Sequence, residues 1–107
     1  MQKGMIKMTV LYPNGDGKQF DMDYYLNKHV PLVVGLLGDS LKGANIDSGL
    51  GGMVPGSAAP FAIIGHLYFN SMEEMGQSFG ANADKIVGDV PNFTNIEPIV
   101  QISEVKV

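Results

Sequence analysis

The order of strand-like and helix-like segments is the feature that most constrains how this sequence can fold. In residues 5–12, Ile6, Met8 and Val10 fall on one side of an alternating pattern, and this period of two predicts a β-strand. In residues 21–37, apolar side chains instead recur every three or four positions, which predicts a helix. The same reasoning predicts a weaker strand over 41–47, a strand over 61–69, a second helix that opens at Ser71, is interrupted at Gly76 and Gly80 and resumes to Val87, and a long final strand over 94–107.

This order, β-α-β-β-α-β, is that of the ferredoxin-like α+β sandwich, in which two helices cover one side of a four-stranded sheet. The other side of the sheet is then uncovered, yet it would carry apolar residues such as Leu11, Ile64 and Ile99. A large exposed apolar patch usually marks an interface, and the same face of a second copy is its simplest cover. The sequence therefore predicts a homodimer.

Helix-capping and helix-breaking residues set the expected limits of the first helix. Asp21 or Asp23 can cap its start, and Gly38 suits its end. Pro31 lies inside it, where a missing backbone donor costs about 3 kcal/mol, so we expect the helix to bend or break just beyond His29. Residues 49–57 carry no charge and no periodicity, which predicts a flexible loop.

The composition excludes several classes of protein. A chain of 107 residues suits one domain over 1–107, and 45% hydrophobic with 17% charged residues indicates a globular chain. Without cysteine there is no disulfide framework and no thiolate zinc site. All seven basic residues are Lys and the net charge is −4, which argues against nucleic-acid binding. No signal peptide or membrane-spanning run is apparent, so we expect a cytoplasmic protein with no membrane partner.

His29 is the first candidate for chemistry. It lies four residues after Tyr25, which places the two side chains on one face of the helix, with Asp21 one turn further back. A Tyr and a His that reach one pocket can act as proton donor and acceptor near neutral pH. The structural alternative is that His29 satisfies a carbonyl freed by Pro31 while Tyr25 belongs to the core.

His66 is the second candidate, and it alternates with Ile64 and Tyr68 on the third strand. A histidine among apolar neighbours is more often a hydrogen-bonded core or interface residue, but a helix packed on the sheet could bring it near His29. Metal binding is weakly supported, because the sequence has no H-E-x-x-H motif and no thiolate. The glycine-rich stretch GLGGMVPG matches neither a dinucleotide fingerprint nor a phosphate-binding loop, so no cofactor is expected from it.

Five stretches together resemble the EthD-like family, which is named for ethyl tert-butyl ether degradation. They are VLYPN, FDMDYYLNKHVPLV with its Tyr-x-x-x-His-x-Pro core, GHLYFNSMEEM, GDVPNFTNIEP and VQISEV, which span nearly the whole chain in order. The resemblance implies a dimeric α+β barrel, with two sheets packed face to face and a pocket near the first helix of each subunit. It also implies a role for His29, with Tyr25 and Asp23 in the same motif and His66 less securely.

Members of this family are often labelled oxidoreductases, and their superfamily relatives include cofactor-free monooxygenases, cyclases, isomerases and haem-degrading enzymes. The leading hypothesis is therefore a homodimeric enzyme that acts on a small hydrophobic molecule, with His29 as acid/base and Tyr25 as the orienting hydrogen-bond partner. The reaction is expected to be either an oxidation by dioxygen without a bound cofactor or a proton-transfer step such as a cyclisation, dehydration or isomerisation. The predicted substrate-binding residues are Asp23, Phe61, His66, Tyr68 and Phe93. The alternatives are a carrier that holds a hydrophobic metabolite for a partner oxygenase, and a haem-binding protein with His29 as axial ligand.

Overall fold

A computed structural model describes residues 2–107. Its strands are β1 (Ile6–Pro13), β2 (Gly43–Ser48), β3 (Phe61–Phe69) and β4 (Ile99–Glu104). The first helix, α1, consists of three consecutive segments, Met22–Tyr24, Tyr25–His29 and Val30–Leu37. The second helix, α2, is Met72–Asp89, and short 3₁₀ turns follow α1 at Gly38–Ser40 and α2 at Val90–Asn92.

The four strands form an antiparallel sheet in the order β2-β3-β1-β4. This topology and the two helices confirm the predicted ferredoxin-like α+β fold. No helix in residues 2–107 combines the length and apolarity needed to cross a membrane.

The register of the sheet separates its two faces. Met8 pairs with Leu67, and Val10 pairs with Gly65. The side chains of Met8, Val10 and Leu67 point towards the helices. Thr9 pairs with His66, one position out of phase, so these two residues lie on the opposite face. We call the first the helix face and the second the open face.

The core between the helix face and the helices has two parts. The first contains Met8, Val33, Leu37, Phe69, Met75 and Ile86, and the second contains Tyr12, Tyr25, Ile63, Phe93 and Ile96. The second part is rich in aromatic rings that meet edge to face, such as Tyr12 and Phe20 with ring centroids 5.2 Å apart. This aromatic half of the core supports the residues around His29.

Pro31 does not break α1, so of the expected bend or break the break does not occur. The helix instead widens into a π-helix over Tyr25–His29, where the Val30 amide donates to the Tyr25 carbonyl five residues back. The wider turn places Pro31 at the start of the α-helix Val30–Leu37, a position at which a proline needs no amide donor. The π segment thus accommodates the proline and spans the two residues predicted to carry chemistry.

The final strand is shorter than the sequence predicts, because it begins at Ile99 and ends at Glu104. Residues before it are held by other contacts: Thr94 forms an isolated bridge with Phe20, and its hydroxyl accepts a hydrogen bond from the Ile96 amide at 3.0 Å. Ile96 is buried in the aromatic half of the core. Packing and side-chain hydrogen bonds therefore override the extended pattern at 94–98.

The second helix is continuous, and the predicted interruption at Gly76 and Gly80 is wrong. Both glycines have helical geometry without a positive φ. A glycine in a helix costs about 1 kcal/mol relative to alanine, which the burial of Met75 and Ile86 on the same helix offsets. Ser71 caps the helix as predicted, since its side chain accepts from the Glu74 amide at 3.1 Å.

Candidate functional site

A cavity of about 100 Å³ lies between the helix face of the sheet and the two helices. Its walls are largely aliphatic, and Val10, Val33 and Leu67 are typical of them. The exceptions are Tyr12, Tyr25 and His29, which bring two hydroxyls and an imidazole to the same space. An apolar hollow with a few polar groups is the usual form of a small-molecule site.

His29 is buried, with 5% of its surface exposed, and it is paired with a carboxylate. Its Nδ1 lies 2.8 Å from Oδ2 of Asp89, the last residue of α2. Since an ionised carboxylate only accepts, Nδ1 is the nitrogen that donates to Asp89, and in the neutral imidazole the lone pair is then on Nε2. Nε2 has no hydrogen-bond partner among residues 2–107. The structural alternative required His29 to bond to a carbonyl freed by Pro31. His29 instead bonds to the carboxylate of Asp89.

Three donors hold the Asp89 carboxylate. Besides His29, the Tyr24 hydroxyl and the Asn92 amide donate to Oδ1 at 2.7 and 2.9 Å. Burial alone would raise the pKa of Asp89, but the hydrogen bonds from Tyr24, Asn92 and His29 outweigh it and hold the pKa below its ordinary value. Asp89 is thus ionised at neutral pH and orients the imidazole.

Sequence reasoning missed Asp89, although one signal was present. A negative charge at the C-terminus of a helix opposes the helix dipole, where a positive charge would be favourable. Asp89 occupies that position in α2 and is stabilised there by side chains of α1 and of the turn that follows α2. An acidic residue in an unfavourable position could have marked it as functional.

Tyr25 lies beside His29, as its spacing predicts. The two rings are stacked, with centroids 5.6 Å apart and an interplanar angle of 19°. Burial raises the pKa of Tyr25 to about 12, so its hydroxyl stays protonated and can donate near neutral pH. Phe93 packs behind both residues, with its centroid 4.6 Å from that of His29, and fixes the imidazole from the side away from the cavity.

Tyr12 is a second cavity residue that sequence reasoning did not select. It lies on β1, is 2% exposed, and meets the Tyr25 ring edge to face at 6.1 Å. Its position on the same strand face as Met8 and Val10 was the available signal, since that face points towards the helices. Its burial next to Tyr25 raises its pKa, so it too stays protonated.

The remaining predicted site residues lie outside the cavity wall. His66 and Tyr68 are on the open face of the sheet, where His66 Nε2 is 3.1 Å from Asp47 Oδ2, so the sheet separates them from His29. Phe61 is at the start of β3, opposite Pro13. Asp23 is exposed on the first turn of α1, where Asp21 is the cap and accepts from the Tyr24 amide at 3.1 Å. A role for these residues in substrate binding stays a prediction.

The site offers little support for metal or haem. No cluster of three or more His, Cys, Asp or Glu side chains suited to a metal ion occurs within the described part of the chain. A cavity of about 150 Å³ holds one benzene ring, so a space of about 100 Å³ beside His29 does not fit a porphyrin. The residues present therefore do not suit His29 as an axial haem ligand.

The raised pKa of Tyr25 leads us to expect that the free energy of unfolding falls at alkaline pH. Because burial raises its pKa from 10.0 to about 12, the stabilisation is complete below pH 10 and is lost as the pH rises from about 10 to 12. Denaturant unfolding followed over this range should show a falling free energy of unfolding. The Tyr25→Phe variant should show a shallower fall, and a slope equal to that of the wild type would contradict the assignment.

Comparisons with known proteins agree with this architecture. The model of the family described as "EthD domain" matches residues 16–97, which is more than half of the chain. An EthD-like protein from Ralstonia eutropha JMP134 is similar in structure, with a TM-score of 0.91 and 35% identity over 99% of this chain and 96% of that one. No protein with a curated description matches the sequence.

Two more distant structures also match the chain. An ethyl tert-butyl ether D (EthD) family protein from Bacillus halodurans C-125 has a TM-score of 0.63 and 20% identity over 94% of this chain and 97% of that one. A protein from Bacteroides fragilis NCTC 9343, described as dimeric, of unknown function and ferredoxin-like in fold, has a TM-score of 0.46 and 14% identity over 97% and 99%. The family match and the Ralstonia structure confirm the resemblance seen in the sequence, and the chain belongs to the EthD family.

Proposed function

We propose that this protein is an enzyme that moves a proton on a small, largely apolar organic molecule, with His29 as the general base. The observation that carries the proposal is the buried His29–Asp89 pair at the wall of an apolar cavity, with Nδ1 and Oδ2 only 2.8 Å apart. A buried imidazole oriented by a carboxylate is the arrangement that enzymes use to hold Nε2 ready to accept a proton. Many structural histidines are also paired, so the proposal rests on the pair and the cavity together.

The proposed reaction begins with a carbon acid bound next to Nε2. His29 Nε2 takes a proton from the carbon next to a carbonyl, and the electron pair of the broken C–H bond moves onto the carbonyl oxygen to form an enolate. Asp89 stabilises the imidazolium through Nδ1. The Tyr25 hydroxyl donates to the developing oxyanion. Return of the proton to the same or another carbon completes an exchange or an isomerisation.

The size and polarity of the cavity support a small apolar substrate. The space of about 100 Å³ is smaller than a cavity of about 150 Å³ that holds benzene, so it encloses a short chain or part of one ring, with the remainder in the opening. Val34, Val87 and Val100 line the cavity and are each 44–60% exposed, so its opening is apolar as well. The absence of Arg argues against a substrate that needs a strong anionic clamp.

The same apolar opening supports a second candidate, a carrier that holds a hydrophobic metabolite for another enzyme. A carrier needs the cavity but has no use for an oriented imidazole with an unpartnered Nε2. The two functions therefore differ in whether bound molecules react.

Hydrogen–deuterium exchange into cyclohexanone in heavy water separates them. Cyclohexanone has one ring, one carbonyl and exchangeable hydrogens on the carbons next to it. The enzyme proposal expects the protein to accelerate deuterium incorporation, followed by NMR, in proportion to protein concentration. Binding of cyclohexanone without faster exchange would support the carrier and contradict proton transfer.

The proposal includes a second copy of the chain on the open face of the sheet. Leu11 and Ile64 are only partly buried there, and Ile99 is 53% exposed. Contact with the same face of another copy would remove this apolar surface from water. Light scattering should give twice the chain mass at micromolar concentration, and Ile99→Lys should shift the mass towards one chain. A wild-type monomer at that concentration would contradict the dimer.

A further inference from the structure

Two tyrosine side chains that line the cavity have hydroxyls with no hydrogen-bond partner within residues 2–107. Tyr12 is 2% and Tyr25 is 4% exposed, and both line the cavity. Neither hydroxyl donates or accepts a hydrogen bond there, although the Tyr24 hydroxyl, by contrast, is paired with Asp89. Since the protein supplies no partner and the two oxygens are not sealed off from the cavity, a molecule in the cavity is the available partner for them.

The two tyrosines line the same cavity from different elements. Tyr12 is on β1, and Tyr25 comes down from α1 towards β3. A methyl group added at Gly65 of β3 would be 3.3 Å from the Tyr25 hydroxyl oxygen, so this hydroxyl reaches the sheet. Gly65 pairs with Val10, two residues from Tyr12 on the same strand face. The lack of a side chain at Gly65 thus leaves space beside the Tyr25 hydroxyl, and the Tyr12 ring lies next to the Tyr25 ring, with centroids 6.1 Å apart.

We propose that Tyr12 and Tyr25 together bind one oxygen atom of the ligand, and that this pair selects single-ring or similarly small molecules with one carbonyl or phenolic oxygen. The inference rests on the proposed function and deepens it, because it names the substrate class and adds Tyr12 to the site. Two O–H donors suit an oxygen that gains negative charge, and the aliphatic walls suit the remainder of the molecule.

The arrangement assigns each group one task in the proton transfer. His29 receives the proton from carbon, and the two hydroxyls donate hydrogen bonds to the enolate oxygen without giving up their own protons. Burial raises the pKa of both tyrosines, which agrees with their acting as donors and not as acids that ionise. The charge formed on oxygen is thus balanced by the imidazolium at His29, and no oxidant is required.

Binding of phenol and toluene tests this inference, because the two molecules have nearly the same shape and differ in one hydroxyl. Calorimetry or ligand-observed NMR should show that the wild-type protein binds phenol more tightly than toluene. Tyr12→Phe and Tyr25→Phe should each weaken phenol binding by about three- to tenfold, the effect of one hydrogen bond. Toluene affinity should stay within about twofold, which also reports that the cavity of each variant is folded.

The inference is overturned if the wild-type protein binds phenol and toluene equally well or binds neither, since the site would then not recognise a ligand oxygen. It is also overturned if both variants keep the wild-type preference, because the hydroxyls would then bind only water. Failure of the proposed function has a different signature. Cyclohexanone would not exchange in the presence of the wild-type protein, while the preference for phenol and its loss in the variants would be unaffected.

Discussion

Replacement of His29 by glutamine is expected to lower the rate of deuterium exchange into cyclohexanone by about 10²- to 10⁴-fold, the usual contribution of a general base. Glutamine keeps a side-chain donor that can reach Asp89 but has no group that accepts a proton from carbon. Its size is close enough to that of histidine to leave the cavity wall in place. Phenol affinity should therefore change much less than the exchange rate, which separates chemistry from binding.

His66→Gln is the matched comparison for this experiment. It makes the same substitution at the other histidine, whose side chain lies on the open face of the sheet and contacts Asp47. The structure leads us to expect an exchange rate near that of the wild type. Equal losses in the two variants would contradict the assignment of the base to His29, and so would a His29→Gln variant that retains full activity.

Replacement of Asp89 by asparagine is expected to lower the exchange rate by about 10²-fold, at the upper end of the effect of a residue that orients a histidine. The neutral amide no longer stabilises the imidazolium. It can also turn an N–H towards His29, which would favour the proton on Nε2 and remove the lone pair that the reaction needs. Asp89 acts through His29, so it is a positioning residue.

Asp84→Asn provides the control, because Asp84 is exposed on the same helix, five residues earlier. Its exchange rate and thermal midpoint should match those of the wild type. NMR of the His29 ring nitrogens distinguishes a positioning role from a merely structural one. In Asp89→Asn the imidazole proton should shift from Nδ1 towards Nε2 of His29. An unchanged proton position together with an unchanged rate would remove Asp89 from the site.

The sequence predicted the architecture well because the strands and helices are amphipathic, and the pattern that reveals each of them lies within a few consecutive residues. The strand at Phe61–Phe69 has the same limits in the structure as in the prediction, and the helix caps Asp21 and Ser71 hold as local hydrogen-bond patterns require. The errors arose where tertiary contacts decided the outcome. Ile96 is drawn into the core before β4 begins, and the buried face of α2 keeps it helical through two glycines.

The candidate site was predicted only in part, for a similar reason. The four-residue spacing of Tyr25 and His29 is a local feature, and the sequence contains it fully. Asp89 is 60 residues further along the chain, and Tyr12 reaches the cavity only because β1 lies in the centre of the sheet. Such long-range proximity depends on the assembled fold, and hydrophobic periodicity carries no information about which polar groups will meet. His66 illustrates the same limit. The alternating hydrophobic pattern placed it on a strand but did not show which face of the sheet would meet the helices.

The central claim is that His29 presents an unprotonated Nε2 to a molecule bound in the cavity. Heteronuclear NMR of the histidine ring nitrogens, recorded near neutral pH with and without phenol, tests this most directly. The claim predicts that His29 carries its proton on Nδ1, and that phenol shifts the Nε2 resonance of His29 while leaving that of His66 in place. A His29 proton on Nε2, or an Nε2 resonance that does not respond to saturating phenol, would contradict it.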